Sequence, residues 1–354
     1  MQKNEYYSQE NHGPFSLYNL GDFELESGDI INKCQLAYAT FGELNSQKNN
    51  AILLTTWYSG TSKIMEQVYV GKEHAINPDK YFVIIVNQIG NGLSSSPHNT
   101  LPFNGIASFP KVQIGDDVRA QHALVTQYFG LDSLALVVGG SMGAQQTWEW
   151  AVRYPKMVKR AAPIAGTAKN TPHDFLFTKT LNEAITSDLA WKNGAYKNSN
   201  AVAEGLKRHA DLWSVMGYST EMFKKELWRE IGFSSSKEFC EGFTQAYFAP
   251  MDPNNLLCLA WKWQRGDVSK NTNGDLKKAL ARITAKMIVM PINTDMFFPP
   301  KDCEDNQKMV ANSELRIIET DWGHLGLFGM DPSYIEQVDR HLNDLLALPA
   351  SKNN

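Results

Sequence analysis

Gly139-Gly140-Ser141-Met142-Gly143 is the stretch of this chain best suited to covalent chemistry. It follows the apolar run LALVV and precedes AQQTWEWAVRYP, so it reads as a strand, a sharp turn and a helix around G-x-S-x-G. A serine there sits on a strained turn that small residues two positions away permit. The turn lifts the hydroxyl above a sheet edge and aims the following backbone N–H, that of Met142, at a developing oxyanion. A glycine-rich turn of this kind can also merely pack or hold a phosphate. The strand before it and the helix after it favour the nucleophile.

A serine hydroxyl is a weak nucleophile, so it needs a base, and the base needs an orienting acid. Of the eight histidines, His324 in TDWGHLGLFG lies after the last strand-like run and before the terminal helical pattern, where a Ser–acid–His order requires the base. His341 falls inside that helix and reads as a solvated helix residue. For the acid, Asp295 in PINTDMFFPP follows a strand-like run, and Asp302 and Asp321 remain alternatives. Asp321 shares the loop of His324 and suits a shaping role. A second oxyanion donor should come from the loop after an early strand: TTWYSGTS at 55–62, through the N–H of Tyr58. The same aromatic residues would also pack under a cap.

These groups need a scaffold, and the chain supplies strand-like apolar runs at 51–57, 81–87, 134–140, 160–165, 286–292 and 315–319. Consecutive rather than alternating apolar positions fit parallel strands covered on both faces. Helical patterns lie between them at 115–130, about 142–154 and 332–347. In the first, Val118, Ala123, Leu124 and Tyr128 fall near one face and Gly130 is the expected stop. The alternation is α/β. Residues 166–280 break the rhythm, read as mainly helical and hold Trp191, Trp213, Trp228, Trp261 and Trp263. The expected division is therefore a core over 1–165 and 281–354 with a helical cap inserted at 166–280. Trp261 and Trp263, two apart, cannot share a helix face, which leaves one free to project into a pocket.

Composition excludes several functions. Among 354 residues Lys and Arg number 34 against 38 Asp and Glu, a net charge of −4, which argues against a nucleic-acid partner. No run reaches the ~18–20 apolar residues of a membrane span, and the first residues carry no secretory pattern, so a cytoplasmic location is expected. Cys34, Cys240, Cys258 and Cys303 are scattered, suggesting neither disulfides nor a thiolate metal site.

Taken together, LAYATFGELN (36–45), NPDKYFVIIVNQIGNG (77–92), GDDVRAQHALV (115–125), GGSMGAQQTWEWAVRYP (139–155), ITSD (185–188) and INTDMFFPP (292–300) before Gly323-His324 resemble the homoserine O-acetyltransferase family of α/β-hydrolase-fold proteins over nearly the whole chain. The resemblance implies a mostly parallel sheet flanked by helices with an inserted helical cap, a Ser141–Asp295–His324 triad, an acyl-enzyme, and an oxyanion hole from the amides of Tyr58 and Met142. It also implies a homodimer joined through the cap.

Three departures bear on the substrate. Where the family carries an aspartate after the catalytic histidine, suited to a substrate ammonium, this chain has Leu325. Where it carries an arginine in a Tyr-Arg-Ser stretch, suited to a carboxylate, MGYSTEMF (216–223) has none, and the nearest are Arg208 and Arg229. The family's His-Ala-Leu-Thr-Gly loop is here Thr56-Trp57-Tyr58-Ser59-Gly60. With Trp57 and Leu325 at the pocket, the expected activity is hydrolysis of small, uncharged acetyl esters without a cofactor. The alternative is homoserine O-acetyltransfer, with acetyl-CoA as co-substrate. A non-catalytic member of the fold would lack one of the three triad candidates, all of which stand here; a lactonase or C–C hydrolase would share them.

Overall fold

The computed structural model describes residues 4–100 and 109–349; the outer limits 1 and 354 of the expected core lie outside them. Eight strands, β1 (Ser16–Glu24), β2 (Ile30–Phe41), β3 (Ala51–Thr55), β4 (Phe82–Val86), β5 (Leu136–Gly140), β6 (Arg160–Ile164), β7 (Lys286–Val289) and β8 (Ser313–Leu315), form one sheet in the order β1-β2-β4-β3-β5-β6-β7-β8. From β4 to β8 neighbouring strands run parallel. Every residue of β3, β4 and β5 is buried. Alternate side chains feed opposite layers: Leu53, Ile84 and Val137 on one face, Ile52, Leu54, Ile85 and Val138 on the other. Consecutive apolar positions are what a strand covered on both sides demands.

The hairpin of β1 and β2 was not legible as apolar runs. Its strands pair antiparallel, β2 adding to β4, and β1 keeps a partly exposed, alternating pattern with register shifts on either side of Gly21. The last apolar run, 315–319, is also displaced: the regular strand is Ser313–Leu315. Opposite it Pro291 has no N–H to donate, so pairing continues only as separate contacts, Arg316 N–H to the Val289 carbonyl at 2.9 Å and Ile318 N–H to the Pro291 carbonyl at 2.8 Å.

The helices of eight residues or more are α1 (Ser62–Tyr69), α2 (Ile114–Ala123), α3 (Met142–Arg153), α4 (Pro172–Thr186), α5 (Ala203–Met216), α6 (Pro253–Trp263), α7 (Pro300–Gln307) and α8 (Pro332–Ala347). Helix α2 runs on through a wider π turn at Leu124–Tyr128 before Gly130 stops it at φ +62°. The extra residue in that turn rolls the chain. Val118 and Leu124 stay buried as expected, but Ala123 is only partly covered and Tyr128 is 58% exposed. His341 in α8 is not solvated: it is buried beside Arg316, whose guanidinium approaches Nδ1 to 3.4 Å.

Between β6 and β7 the described chain holds helices and no strand. Aromatic rings join it to the loops above the sheet. Trp213 of α5 stacks on Tyr58 with ring centroids 5.6 Å apart, on Trp263 of α6 at 5.9 Å, and meets Phe297 edge-on at 5.3 Å. One turn earlier, fully buried His209 accepts a hydrogen bond at Nε2 from the Trp213 indole at 3.2 Å, while Nδ1 faces the Leu181 carbonyl at 3.4 Å. The neutral ring satisfies both partners. An imidazolium would turn a second N–H against a donor in a dry site, and burial lowers the pKa from 6.5 to about 4.

A depressed histidine pKa contributes stability that is present above the unfolded value and lost as pH falls through the folded one. The stability gap between the wild type and His209→Asn should therefore narrow, by on the order of 3 kcal/mol, from pH 6.5 down to about pH 4. Chemical denaturation at several pH values checks this; a gap constant across the window contradicts it.

Candidate active site

Four loops leave the carboxyl ends of β3, β5, β7 and β8 and converge, as open α/β sheets arrange their sites. Ser141 follows β5 directly at φ 55°, ψ −122°, outside the conformations an L-residue normally adopts. Two glycines make room for that turn by contact rather than by their own dihedral freedom. A Cβ on Gly139 would stand 2.1 Å from Thr55 Oγ1, and one on Gly143 2.6 Å from the Thr55 carbonyl. The Thr55 hydroxyl uses the closeness, donating to the Gly143 carbonyl at 2.8 Å.

Ser141 Oγ lies 2.9 Å from His324 Nε2, and His324 Nδ1 lies 2.7 Å from Asp295 Oδ2. All three residues are buried. Because a carboxylate only accepts, the imidazole proton belongs on Nδ1, which leaves Nε2 to accept from the serine. The second oxygen of Asp295 accepts the N–H groups of Phe297 at 2.7 Å and Phe298 at 3.1 Å, fixing the carboxylate's rotation. The Phe297 ring meets the imidazole edge-on, centroids 4.9 Å apart. The loops carrying acid and base are tied through Thr294, which accepts from Gly323 N–H at 3.2 Å and donates to the Thr320 carbonyl at 2.7 Å.

The other acid candidates lie elsewhere. Asp321 directs its carboxylate to Lys225 at 2.5 Å, and Asp302 opens α7. The N–H groups of Tyr58 and Met142 donate to no acceptor in the hydrogen bonds described, and so are free to serve an oxyanion.

Ser141 and His324 open on a cavity of about 440 Å³ including its mouth. Trp57, Tyr58 and Leu325, all expected there, line it. So do Trp213, Tyr218, Phe243, Tyr247, Phe248 and Phe328, which no sequence pattern distinguished from ordinary core. Neither Trp261 nor Trp263 lines it: Trp263 is buried in the aromatic cluster and Trp261 faces Lys111 and Arg265. Among the described residues no Asp, Glu, Lys or Arg lines this cavity. Arg208 bonds the Ala184 carbonyl and Ser187 hydroxyl, and Arg229 pairs with Glu226. The Leu325 side chain packs on Gly217, where a Cβ would stand 2.7 Å from its Cδ1, and its N–H donates to the Gly217 carbonyl at 2.9 Å. Among the described residues no cluster of three or more His, Cys, Asp or Glu is placed to hold a metal.

Residues 73–329 match the family described as alpha/beta hydrolase fold. An ethyl acetate hydrolase of Pseudomonas veronii is 60% identical over 347 residues, 98% of this chain and 99% of that protein. The crystal structure of an acetylester hydrolase from Corynebacterium glutamicum superposes with a TM-score of 0.96 at 53% identity, covering 98% of this chain and all of that one. More distant is a homoserine O-acetyltransferase of Trichormus variabilis, 28% identical over 339 residues and 92% of each protein. The chain belongs to the α/β-hydrolase fold family.

The hydrogen bond from His324 to Asp295 sets the imidazole tautomer. Asp295→Asn should lower kcat about 10⁴-fold with the fold intact, by the logic of other triads, whereas Asp321→Asn should leave kcat nearly unchanged. Steady-state hydrolysis of an aryl acetate reads both; the reverse ranking would move the acid to Asp321.

Proposed function

We propose that this enzyme, a serine ester hydrolase of the α/β-hydrolase family, cleaves small, uncharged acetyl esters through an acyl-enzyme on Ser141. The observation that carries the substrate class is the cavity wall, mostly aromatic and aliphatic with Ser59 and Thr244, and among the described residues lined by no charged side chain that could anchor a substrate. An amino-acid zwitterion would have to leave water without partners there, at several kcal/mol per charge. The sequence similarity to an ethyl acetate hydrolase points the same way.

In this reading His324 Nε2 takes the Ser141 proton as Oγ attacks the ester carbonyl, and the tetrahedral oxyanion is held by the N–H groups of Tyr58 and Met142. His324 then hands its proton to the leaving alcohol. Water then attacks the acyl carbonyl as the same nitrogen takes its proton; the second tetrahedral intermediate breaks the bond to Ser141 Oγ, which recovers that proton from His324 as the acid leaves. Asp295 holds the tautomer and stabilises the imidazolium. The steps draw on side chains and backbone alone, with no cofactor.

The protein acts as a homodimer joined through the inserted helices, where Leu176, Leu189 and Val215 are 60%, 96% and 67% exposed. It works in a reducing compartment, the cytoplasm: Cys34, Cys240, Cys258 and Cys303 are all unpaired, and no described helix is long and apolar enough to cross a membrane.

A paired assay tests the reading on purified protein that should sediment as a dimer. Ethyl and aryl acetates should be hydrolysed rapidly, and acetyl-CoA should release no CoA in response to homoserine. Homoserine-dependent CoA release would overturn the hydrolase reading in favour of acyl transfer, and a monomer would overturn the dimer.

A further inference from the structure

We infer that Gln88 is a positioning residue for oxyanion stabilisation, with its own orientation set by the buried ammonium of Lys262. The inference rests on the proposed use of the Tyr58 N–H. In a trans peptide the carbonyl and the following N–H point in opposite directions, so whatever fixes the Trp57 carbonyl also aims the Tyr58 N–H. The only cis bond among the described residues joins Gly13 and Pro14. The Trp57 carbonyl is held from two sides, accepting Gln88 Nε2 at 3.0 Å and the Gly60 N–H at 3.1 Å. Gln88 Nε2 also donates to the neighbouring Thr56 carbonyl at 2.8 Å. A second amide, Gln146 on α3, donates to that same carbonyl at 2.9 Å, tying the loop to the helix that begins after Ser141.

A glutamine amide can face either way, and here its surroundings decide. Lys262 Nζ lies 3.5 Å from Gln88 Oε1. An ammonium has donors only, so it requires the oxygen of Gln88 and leaves Nε2 for the two carbonyls. Lys262 is itself completely buried, donating to the Ile89 carbonyl at 2.8 Å and paired with Asp117, whose other oxygen accepts the Ile89 N–H at 2.8 Å. Lys262 belongs to α6, in the stretch between β6 and β7, and Asp117 to α2 in the core. The network therefore couples the inserted helices to the orientation of one oxyanion amide.

Purified Gln88→Met and Gln88→Glu variants test the inference. Both remove the donor to the carbonyls, and the glutamate keeps an acceptor toward Lys262. For acetyl ester hydrolysis kcat should fall about 10- to 100-fold, less than the 10²–10³-fold typical of losing an oxyanion donor outright, with KM within about twofold. A methyl trifluoromethyl ketone, which adds to the serine as an oxyanion, should lose affinity in parallel with kcat. A competitive alcohol that forms no oxyanion should bind as before. A purely structural role would lower thermal stability without this split. If Gln88→Met does not fold, Gln88→Glu decides alone. Unchanged kcat and ketone affinity in a folded variant overturn the inference, provided Ser141→Ala is inactive; hydrolysis surviving in Ser141→Ala would instead sink the nucleophile assignment beneath it.

Discussion

Ser141 is held at φ 55°, ψ −122°, a conformation costing on the order of 1–3 kcal/mol, and the surrounding packing must over-determine it. The strand before it is buried on both faces, the helix after it begins at once, and β3 approaches both so closely that Gly139 and Gly143 have no room for a side chain. The strain does chemical work by location. It puts the hydroxyl at the carboxyl edge of the sheet, within 2.9 Å of His324, and leaves the first N–H of α3 without an intrahelical partner. The loops from β3, β7 and β8 need only meet one fixed point.

What lies above that point separates hydrolysis from transfer. The stretch between β6 and β7 brings Trp213, Tyr218, Phe243 and Phe248 to the cavity above Ser141, and the His324 loop adds Leu325 against Gly217. An apolar wall retains a small ester by desolvation and gives a charged acceptor nothing to pair with. In the same helices Lys262 is completely buried, yet its ammonium is committed to Asp117, Ile89 and Gln88. It serves the scaffold, not the substrate.

The sequence carried the parts of this site that depend on local order. G-x-S-x-G needs only five adjacent residues, and His324 and Asp295 lie in loops whose place follows from the succession of strands. The resemblance was informative even where it broke, since Leu325 and the arginine-free MGYSTEMF stretch both border or approach an uncharged cavity. Features made by long-range packing were not legible. Gln88 is one polar residue in a run of several, and its role exists only because Trp57, 31 residues away, and Lys262, 174 residues away, come to its two ends. Trp213 and Trp263 both belong to the aromatic cluster, and only the packing shows that Trp213 reaches the pocket. Strand β1 escaped an apolar-run criterion because a one-sided strand does not produce such a run, and β2 is covered on both faces only over Leu36–Ala39. Tyr128 left its predicted face because one wider helical turn changed the phase.

Everything above turns on a covalent acyl group that forms on Ser141 and passes to water. Rapid-quench mass spectrometry during turnover of an acetyl ester tests it most directly. An acetyl group should appear on the peptide carrying Ser141, forming and decaying at rates compatible with kcat, and its decay should be unaffected by added homoserine. An acetyl group on another residue, none at all, or one that homoserine removes faster than water would contradict it.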